Sequence, residues 1–560
     1  MKALFLLLFF GFQTALAQSQ DNLATANRAM VATVHPLATN AAIKSLAEGG
    51  NAVDAALTAA ITLGVVDGYN SGIGGGCFIL IRTPDGELIA IDGRETAPKR
   101  ATAEMFYRDG KPDTALSQSG ALASGTPGAV AAYHMAWRKA GSLPWGNHFG
   151  EAIEIAENGF EISDRYARLL ASRKELFEQF AASKELFIHK GKTLAAGEWL
   201  VQGDLASTLK GMAQNGPDYF YRGEVAALIA DWMDANGGVM TRRDLATYRA
   251  KLRSPVVSTY REHTIVGFPP PSSGGTHVGQ ILNMMEQFPL SEYYRDSRTK
   301  YTHVVAEAMK LAFADRAYWL GDADFTRVPQ GLIAKSYARD LSSRIDLDTA
   351  ITVKSHGLPP RKFPARPERH TTHIAVADAA GYWVAMTATI NTSFGSKVVI
   401  PGTGIIMNNE MDDFALAPGV ANAFGLLGSE ANKVEALKRP LSSMSPTIVL
   451  KDEQPILTVG AAGGPKIITS VVLGISRVVD LEMSPKEAIQ EPRFHHQWSP
   501  DRLYMERTNE PELLNQMKQL GHIVYPTSSA GVSQMIYRDP ESGRFTGVSD
   551  PRTAGKAAGR

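Results

Sequence analysis

The feature that most constrains the fold is an abrupt change of character in mid-sequence. Residues 352–370, TVKSHGLPPRKFPARPERH, hold four prolines, many charges and few large apolar side chains, which is typical of an exposed linker. Strand-like stretches then follow in tandem, namely THIAVAD, YWVAMTATI, KVVIPGTGIIMNN, TIVLKD and PILTVGAAGG, before the helical pattern KIITSVVLGISRVVDL. The sequence therefore predicts a strand-rich second part that begins where the linker ends.

The part before the linker has a different pattern. Residues 24–66 and most of residues 121–260 carry apolar side chains at helical spacing and are predicted to be helices. Between them, CFILIR and ELIAIDGRE are separated by TPDG, the pattern of a strand hairpin. Helices on the outside and many strands on the inside indicate a layered α/β sandwich.

The N-terminal residues 1–17 have the pattern of a secretory signal peptide. Lys2 is followed by a short apolar run, and Ala15-Leu16-Ala17 fits the small-residue cleavage rule. An N-terminal membrane anchor is the alternative, and no later segment is long and apolar enough to span a bilayer. The single cysteine, Cys77, excludes an intramolecular disulfide and is interpreted as a core residue. We expect a periplasmic or secreted protein.

Charge and motifs exclude several classes of function. Lys+Arg and Asp+Glu both number 57, so net charge is zero, which argues against nucleic acid and anionic membranes as partners. The motifs H-E-x-x-H, C-x-x-C, G-x-x-x-x-G-K-[ST] and G-x-S-x-G are absent. The pair His495-His496 has no neighbours that would complete a ligand set. We therefore expect neither a metal nor a cofactor.

The junction itself carries a candidate nucleophile. A threonine hydroxyl attacks poorly unless a base takes its proton, and an N-terminal threonine supplies that base as its own α-amine, with a reference pKa of about 7.7–8.0. Cleavage between His370 and Thr371 would create such a residue. The alternative is that Thr371-Thr372 is an ordinary β-branched start to a strand, and the chemistry alone does not choose between the two threonines.

Separated motifs along the chain carry a resemblance to a known family. They are GGNAVDAA, GRETAP, PPPSSGG, TTHIAVAD, TATINTSFG, IIMNNEMDDF, KRPLSSMSPTIVL, GAAGG, EPRFHHQW and SDPR. In this order they closely resemble the γ-glutamyltransferase (glutathione hydrolase) family of N-terminal-nucleophile hydrolases, over nearly the whole mature chain. The resemblance implies a four-layer αββα sandwich formed jointly by two subunits of one self-cleaved precursor. It implies a large subunit of residues 18–370 and a small subunit of residues 371–560, with Thr371 as nucleophile.

The resemblance also assigns the residues that bind the glutamyl end of the substrate. A carboxylate is best held by a planar cationic fork and by hydroxyl donors. An ammonium needs acceptors, and neighbouring carboxylates share its charge. The carboxylate-binding residues implied are Arg94, Ser442 and Ser443. The ammonium-binding residues implied are Glu410, Asp413 and Asn391.

Three further residues are assigned to the reacting centre by the same resemblance. Gly463 and Gly464 match the glycines whose backbone N–H groups stabilise an oxyanion, and Thr389 matches the threonine that hydrogen-bonds the nucleophile. Phe424 stands where bacterial relatives with this loop carry a tyrosine that closes over the site, so that the hydrogen bond of its hydroxyl is lost.

The activity implied is cleavage of the γ-glutamyl amide of glutathione and related compounds. A γ-glutamyl-threonyl ester would form and pass to water or to an amino acid or dipeptide amine. Two alternatives stay open at this point. One is a related acylase acting on glutaryl or cephalosporin substrates, and the other is an unprocessed protein that only binds γ-glutamyl peptides.

Overall fold

The computed structural model describes residues 22–360, 372–417 and 419–560. The predicted signal peptide and the predicted cleavage site, His370-Thr371, lie outside these residues, so both remain predictions. The strands are β1 Leu23–Ala26, β2 Ala29–Thr33, β3 Gly76–Arg82, β4 Leu88–Gly93, β5 Tyr107–Arg108, β6 Lys111–Pro112, β7 Phe160–Glu161, β8 Ile188–His189, β9 Lys192–Thr193, β10 Trp199–Leu200, β11 Lys251–Arg253, β12 Val256–Tyr260, β13 His263–Gly267, β14 His373–Asp378, β15 Trp383–Thr389, β16 Val399–Ile400, β17 Ile405–Ile406, β18 Thr447–Lys451, β19 Gln454–Ala462, β20 Phe494–His496, β21 Leu503–Glu506, β22 Val524–Thr527, β23 Val532–Arg538, β24 Phe545–Ser549 and β25 Lys556–Gly559.

The helices cover much of the part before the linker. They are α1 Pro36–Ala47, α2 Ala52–Val66, α3 Thr114–Gln118, α4 Ala129–Ala140, α5 Gly150–Asn158, α6 Asp164–Ala171, α7 Lys174–Phe177, α8 Ala181–Phe187, α9 Gly203–Asn215, α10 Asp218–Tyr221, α11 Glu224–Ala235, α12 Arg242–Thr247, α13 Gly274–Met285, α14 Leu290–Asp296, α15 Arg298–Trp319, α16 Lys335–Ser342, α17 Lys466–Val479, α18 Pro485–Gln490 and α19 Pro511–Gln519. None of the described helices is both long enough and apolar enough to cross a bilayer.

Two seven-stranded antiparallel sheets form the centre of the molecule. The first sheet has the order β11-β4-β3-β15-β14-β2-β25, and the second has the order β1-β24-β23-β19-β18-β13-β12. Each sheet combines strands from before and after residue 371. In the first sheet β14 lies between β15 and β2, and in the second β13 pairs with β18 while β1 pairs with β24. The two parts of the chain are therefore interleaved in both sheets.

The sheets pack face to face across an apolar layer, and helices cover both outer faces. Phe78 and Phe268 stack between the sheets with ring centroids 4.3 Å apart, beside the fully buried Trp383. Helices α1, α2 and α4 pack on the first sheet, and α13, α15 and α17 pack on or beside the second. This arrangement is a four-layer αββα sandwich, which confirms the predicted fold class.

The prediction that residues 24–66 are helical is wrong for their first third. Residues Leu23–Ala26 and Ala29–Thr33 are strands, and β2 is buried along its whole length between β14 and β25. Alanine and methionine are good helix formers, but helix propensity is a weak preference, and pairing with a strand on each side decides the state of so short a segment. The predicted hairpin of β3 and β4 is confirmed, and Cys77 is buried in β3.

Candidate active site

The strand that follows the predicted cleavage site runs through the middle of the first sheet. Thr372 is buried, its backbone N–H donates to the carbonyl of Ala388, and its own carbonyl accepts from Ala388 N at 2.6 Å. Thr389, the last residue of β15, accepts a hydrogen bond on its hydroxyl from Asn391 N at 2.8 Å. The backbone entering β14 is therefore fixed next to Thr389 from the first described residue onward.

Arg94 lies directly after β4 and has no exposure to solvent. Its guanidinium donates to Asp413 Oδ2 at 2.8 Å and to Glu410, and its Nε donates to Pro440 O at 3.3 Å. The fold thus brings together the residue predicted to bind a carboxylate and two predicted to bind an ammonium. The positive charge of Arg94 therefore partly neutralises the two buried carboxylates that it contacts.

The two serines of the LSSMS segment are in different environments. Ser443 Oγ accepts a hydrogen bond from Arg316 Nη2 at 3.1 Å. The carbonyl of Ser442 accepts hydrogen bonds from Ser273 N at 2.9 Å and Ser273 Oγ at 2.6 Å. The Ser442 hydroxyl is buried and has no hydrogen-bond partner in the part of the chain that the structure describes.

Two further buried acceptors receive no donor. Asn391 has a positive φ of 75° and donates its Nδ2 to Asn409 O at 2.9 Å, while its Oδ1 has no partner among the described residues. Glu410 uses one carboxylate oxygen on Arg94, and no donor group of the described residues reaches its buried Oε2, although the buried carboxyl of Glu95 lies beside Glu410. Leaving a buried polar atom unpaired costs about 1–3 kcal/mol. Such atoms are the ones a polar ligand would satisfy.

Two asparagines that the sequence analysis missed connect these residues. Asn432 donates to Asp413 O at 2.8 Å and accepts from Leu441 N at 2.8 Å, so it joins the acidic turn to the serine segment. Asn422 donates to Asp413 Oδ1 at 3.0 Å and accepts from Phe424 N at 3.0 Å. Neither asparagine, nor Arg316, lies in a sequence motif that marks it as part of the site.

The glycine pair lies in the turn between β19 and α17. Gly463 has φ 130° and Gly464 has φ 62°, conformations that favour glycine. A Cβ on Gly464 would lie 2.7 Å from Phe424 Cδ1, so the phenylalanine ring packs directly on this turn. Neither backbone N–H of the pair donates to a main-chain carbonyl within the described residues. Both donors are therefore free of main-chain partners, as an oxyanion site requires.

A large open cavity of about 1280 Å³ joins these features to solvent. Asn391, Gly463, Gly464 and Phe424 line it, whereas the fully buried Arg94 does not. The cavity has room for a peptide-sized substrate.

A buried carboxyl group also lines the cavity beside the junction strand. Asp67 Oδ2 accepts from Thr372 Oγ1 at 3.4 Å and from Asn70 Nδ2 at 3.2 Å. Burial raises the pKa of Asp67 to about 7, and the hydrogen bond from Asn70 opposes this shift. Burial likewise raises the pKa of Glu410 well above its usual value, with Arg94 opposing. Asp67 was not found in the sequence analysis, because only the fold brings it to Thr372.

Comparison with known proteins identifies the family. A sequence profile described as gamma-glutamyltranspeptidase matches residues 38–560. The chain belongs to this family. The glutathione hydrolase proenzyme of Escherichia coli (strain K12) is 43% identical over 531 residues, which are 94% of this chain and 91% of that protein. The chain is thus a γ-glutamyltranspeptidase-family enzyme along almost its whole length.

Solved structures of related proteins have the same fold. The cephalosporin acylase from Bacillus halodurans superposes with a TM-score of 0.85 at 28% identity, covering 96% of each chain. The Helicobacter pylori gamma-glutamyltranspeptidase chain superposes with a TM-score of 0.55 at 44% identity, covering 57% of this chain and 91% of that one. The γ-glutamyltranspeptidase family therefore shares its sandwich with an acylase, and the site residues have to separate the two activities.

Proposed function

We infer that the chain is a self-cleaving γ-glutamyltransferase and glutathione hydrolase. The observation that supports this proposal is a set of three unsatisfied buried polar atoms on residues assigned to the glutamyl end. Two of them, Asn391 Oδ1 and Glu410 Oε2, are acceptors, and Ser442 Oγ is a donor. An α-amino acid end group presents the complementary pair, an ammonium and a carboxylate, which would satisfy all three.

Binding of the glutamyl end uses charges that are already in place. The α-carboxylate takes hydrogen bonds from Arg94 and Ser442, and the α-ammonium donates to Glu410, Asp413 and Asn391. Arg94 already contacts both carboxylates. The incoming zwitterion adds one charge of each sign, so the buried net charge stays unchanged. The γ-carbonyl is then directed toward the cavity.

The proposed chemistry begins at Thr371. Its α-amine takes the hydroxyl proton, Oγ bonds to the γ-carbonyl carbon, and the N–H groups of Gly463 and Gly464 stabilise the oxyanion. The C–N bond then breaks, and the departing amine receives the proton. The γ-glutamyl ester on Thr371 next reacts with water in hydrolysis or with the amine of an amino acid or dipeptide in transfer.

Maturation uses the same hydroxyl. In the precursor, Thr371 Oγ attacks the carbonyl of His370, and water hydrolyses the ester that results. The products are a large subunit ending at His370 and a small subunit beginning at Thr371, which remain together as a heterodimer. The α-nitrogen of Thr371 is still an amide at that stage, so the hydroxyl proton passes to another base.

The acylase alternative is less well supported by the site. A glutaryl group has a carboxylate but no α-ammonium, and it would leave Glu410 Oε2 and Asn391 Oδ1 buried without a donor. The acidic pair on Arg94 instead favours a γ-glutamyl substrate.

A product assay tests the proposal directly. The purified protein is incubated with glutathione, and glutamate and cysteinylglycine are measured by mass spectrometry. We expect both products from the wild type and neither from Thr371→Ala, which should stay a single chain. Arg94→Lys keeps the positive charge but loses the planar guanidinium. This variant should still cleave itself and should show a raised KM for glutathione. Normal turnover by Thr371→Ala would refute the assignment, and equal loss of cleavage and turnover in Arg94→Lys would indicate that Arg94 serves folding.

A further inference from the structure

Basic side chains dominate the lining of the active-site cavity. Among the described residues that line it, the acidic ones are Asp67 and Asp164, whereas the basic ones are Arg165, Arg168, Arg173, Lys397, Lys466 and Arg552. Arg552 is neutralised by Glu506 and Asp550. No carboxylate of the described residues lies within 4 Å of Arg165, Arg168 or Arg173, although Arg165 is close enough to Asp67 to oppose the rise of its pKa. We call these three arginines together with Lys397 the basic wall.

Within the basic wall, Arg173 has hydrogen-bonding capacity to spare. Arg173 Nε is buried and has no hydrogen-bond partner among the described residues, and its Nη1 makes only a long 3.4 Å contact with Ser172 O. Lys397 Nζ instead uses its three donors on Thr392 Oγ1 at 2.9 Å, Gln118 O at 3.3 Å and Gly395 O, so it contributes charge to the wall rather than a free donor. Burial, and then the positive charge of Arg173, lower the pKa of Lys397 to about 7. Like charges held this close are relieved by an anion between them.

The position of the wall relates it to one part of the substrate. Arg165 and Arg168 are three residues apart on α6 and so lie on one face of that helix. They face the cavity that Asn391, Gly463 and Gly464 also line. The proposed function places the glutamyl end on the buried charges, which do not line this cavity, and therefore leaves the departing portion of the donor in the cavity beside the wall.

We propose that the basic wall binds carboxylates on the leaving portion of the γ-glutamyl donor, and so makes the enzyme prefer donors whose departing amine carries a carboxylate. Arginine forks match carboxylates in shape and charge, and exposed ones such as Arg168 also attract them from solution. A peptide acceptor enters where the leaving portion departs, so its carboxylate would meet the same wall. This inference rests on the proposed function.

Two matched donors test the inference. They are γ-L-glutamyl-4-nitroanilide, which has a neutral leaving group, and γ-L-glutamyl-3-carboxy-4-nitroanilide, which has an anionic one. The measured quantity is the ratio of their kcat/KM values in hydrolysis, anionic over neutral. We expect Arg168→Gln and Arg173→Gln each to lower this ratio about three- to ten-fold, mainly through KM of the anionic donor. Added NaCl should lower the wild-type ratio in the same direction.

The control and the outcomes separate this inference from the proposed function. Arg138→Gln removes an exposed arginine outside the cavity and should leave the ratio at the wild-type value. The inference is overturned if Arg168→Gln and Arg173→Gln also keep the wild-type ratio and added NaCl does not change that ratio. Hydrolysis of the neutral anilide would in that case still support the proposed function. If the wild-type enzyme hydrolyses neither of the two anilides, the inference and the proposed function are both overturned. Should Arg173→Gln not mature, the exposed Arg168→Gln decides the question.

Discussion

At the scale of single residues, the site is defined by polar atoms that folding buries without satisfying. The hydroxyl of Ser442 is unpartnered among the described residues, whereas that of its neighbour Ser443 accepts from Arg316. The two serines are equal in chemistry and adjacent in sequence, so they form a matched pair. Both serines are predicted to bind the substrate carboxylate, and their different environments lead us to propose that Ser442 binds it whereas Ser443 mainly holds Arg316.

Replacing each serine by alanine tests this difference. Ser442→Ala removes an unpaired buried hydroxyl that lowers stability, so the thermal midpoint should stay the same or rise. The kcat/KM for glutathione should fall by about ten- to a hundred-fold, because a charge-assisted hydrogen bond to the substrate is lost. Ser443→Ala leaves Arg316 short of an acceptor and should lower the thermal midpoint. Thermal unfolding and steady-state kinetics on both variants check this. A lower midpoint in Ser442→Ala, with unchanged kinetics, would remove Ser442 from the proposed site.

Asp67 carries a prediction about pH. Burial raises the pKa of its carboxyl to about 7 in the folded chain from 3.8. The folded state therefore holds more protons than the unfolded state between about pH 4 and pH 7, and its stability falls as pH rises through that window. In Asp67→Asn this part of the decline should disappear, a difference of up to about 4 kcal/mol.

Thermal midpoints between pH 4 and pH 8 measure that effect. Asp164→Asn is the control, because it makes the same substitution at an exposed position on the same cavity. We expect Asp164→Asn to follow the wild-type profile and Asp67→Asn to be flatter. If all three proteins lose stability in parallel as pH rises, Asp67 does not hold its proton in the folded state.

At the scale of elements, the loop that carries Phe424 is connected to the buried charges. Asn422 links Phe424 N to Asp413, and Gln497 Nε2 donates to Phe424 O at 3.2 Å. The ring itself packs on Gly464. One loop therefore contacts both the acidic residues beside Arg94 and the glycine turn that its phenylalanine ring covers.

Shortening the side chain of Phe424 tests whether this loop shields the ester. Phe424→Ala should raise KM and increase the share of the ester taken by water relative to an amine acceptor, because the ring no longer covers the glycine turn. Phe424→Tyr keeps the ring and should retain the wild-type partition. The hydrolysis-to-transfer ratio, measured with glycylglycine as acceptor, decides. An unchanged ratio in Phe424→Ala would show that the ring does not limit access of water.

The elements also show how far the sequence predicts this protein. The strands after residue 371, the β3–β4 hairpin and the four-layer class follow from local patterns and motif resemblance, and they are confirmed. Strands β1 and β2 were mistaken for helix because their pairing partners, β24, β14 and β25, lie hundreds of residues away. Asp67 was missed for the same reason, since Thr372 is 305 residues away. Arg316, Asn422 and Asn432 were missed because their side-chain contacts depend on loop and tertiary geometry that no local pattern predicts.

At the scale of the whole molecule, interleaved strands make the two parts of the chain inseparable. In the first sheet β15 and β14, from after residue 371, lie between β3 and β2, from before it. Cleavage at the junction would break one peptide bond and leave every ladder hydrogen bond of the described strands in place. We therefore predict that the two fragments coelute as one heterodimer in size-exclusion chromatography and separate only in denaturant. Separation under native conditions would contradict this architecture.

The measurement that tests the central claim most directly is N-terminal sequencing of the purified protein, with the intact masses of its fragments. The account predicts a smaller fragment that begins Thr371-Thr372-His373 in the wild type, and one uncut chain in Thr371→Ala. An active preparation that consists of a single uncut chain, or a fragment that begins at any other residue, would contradict it.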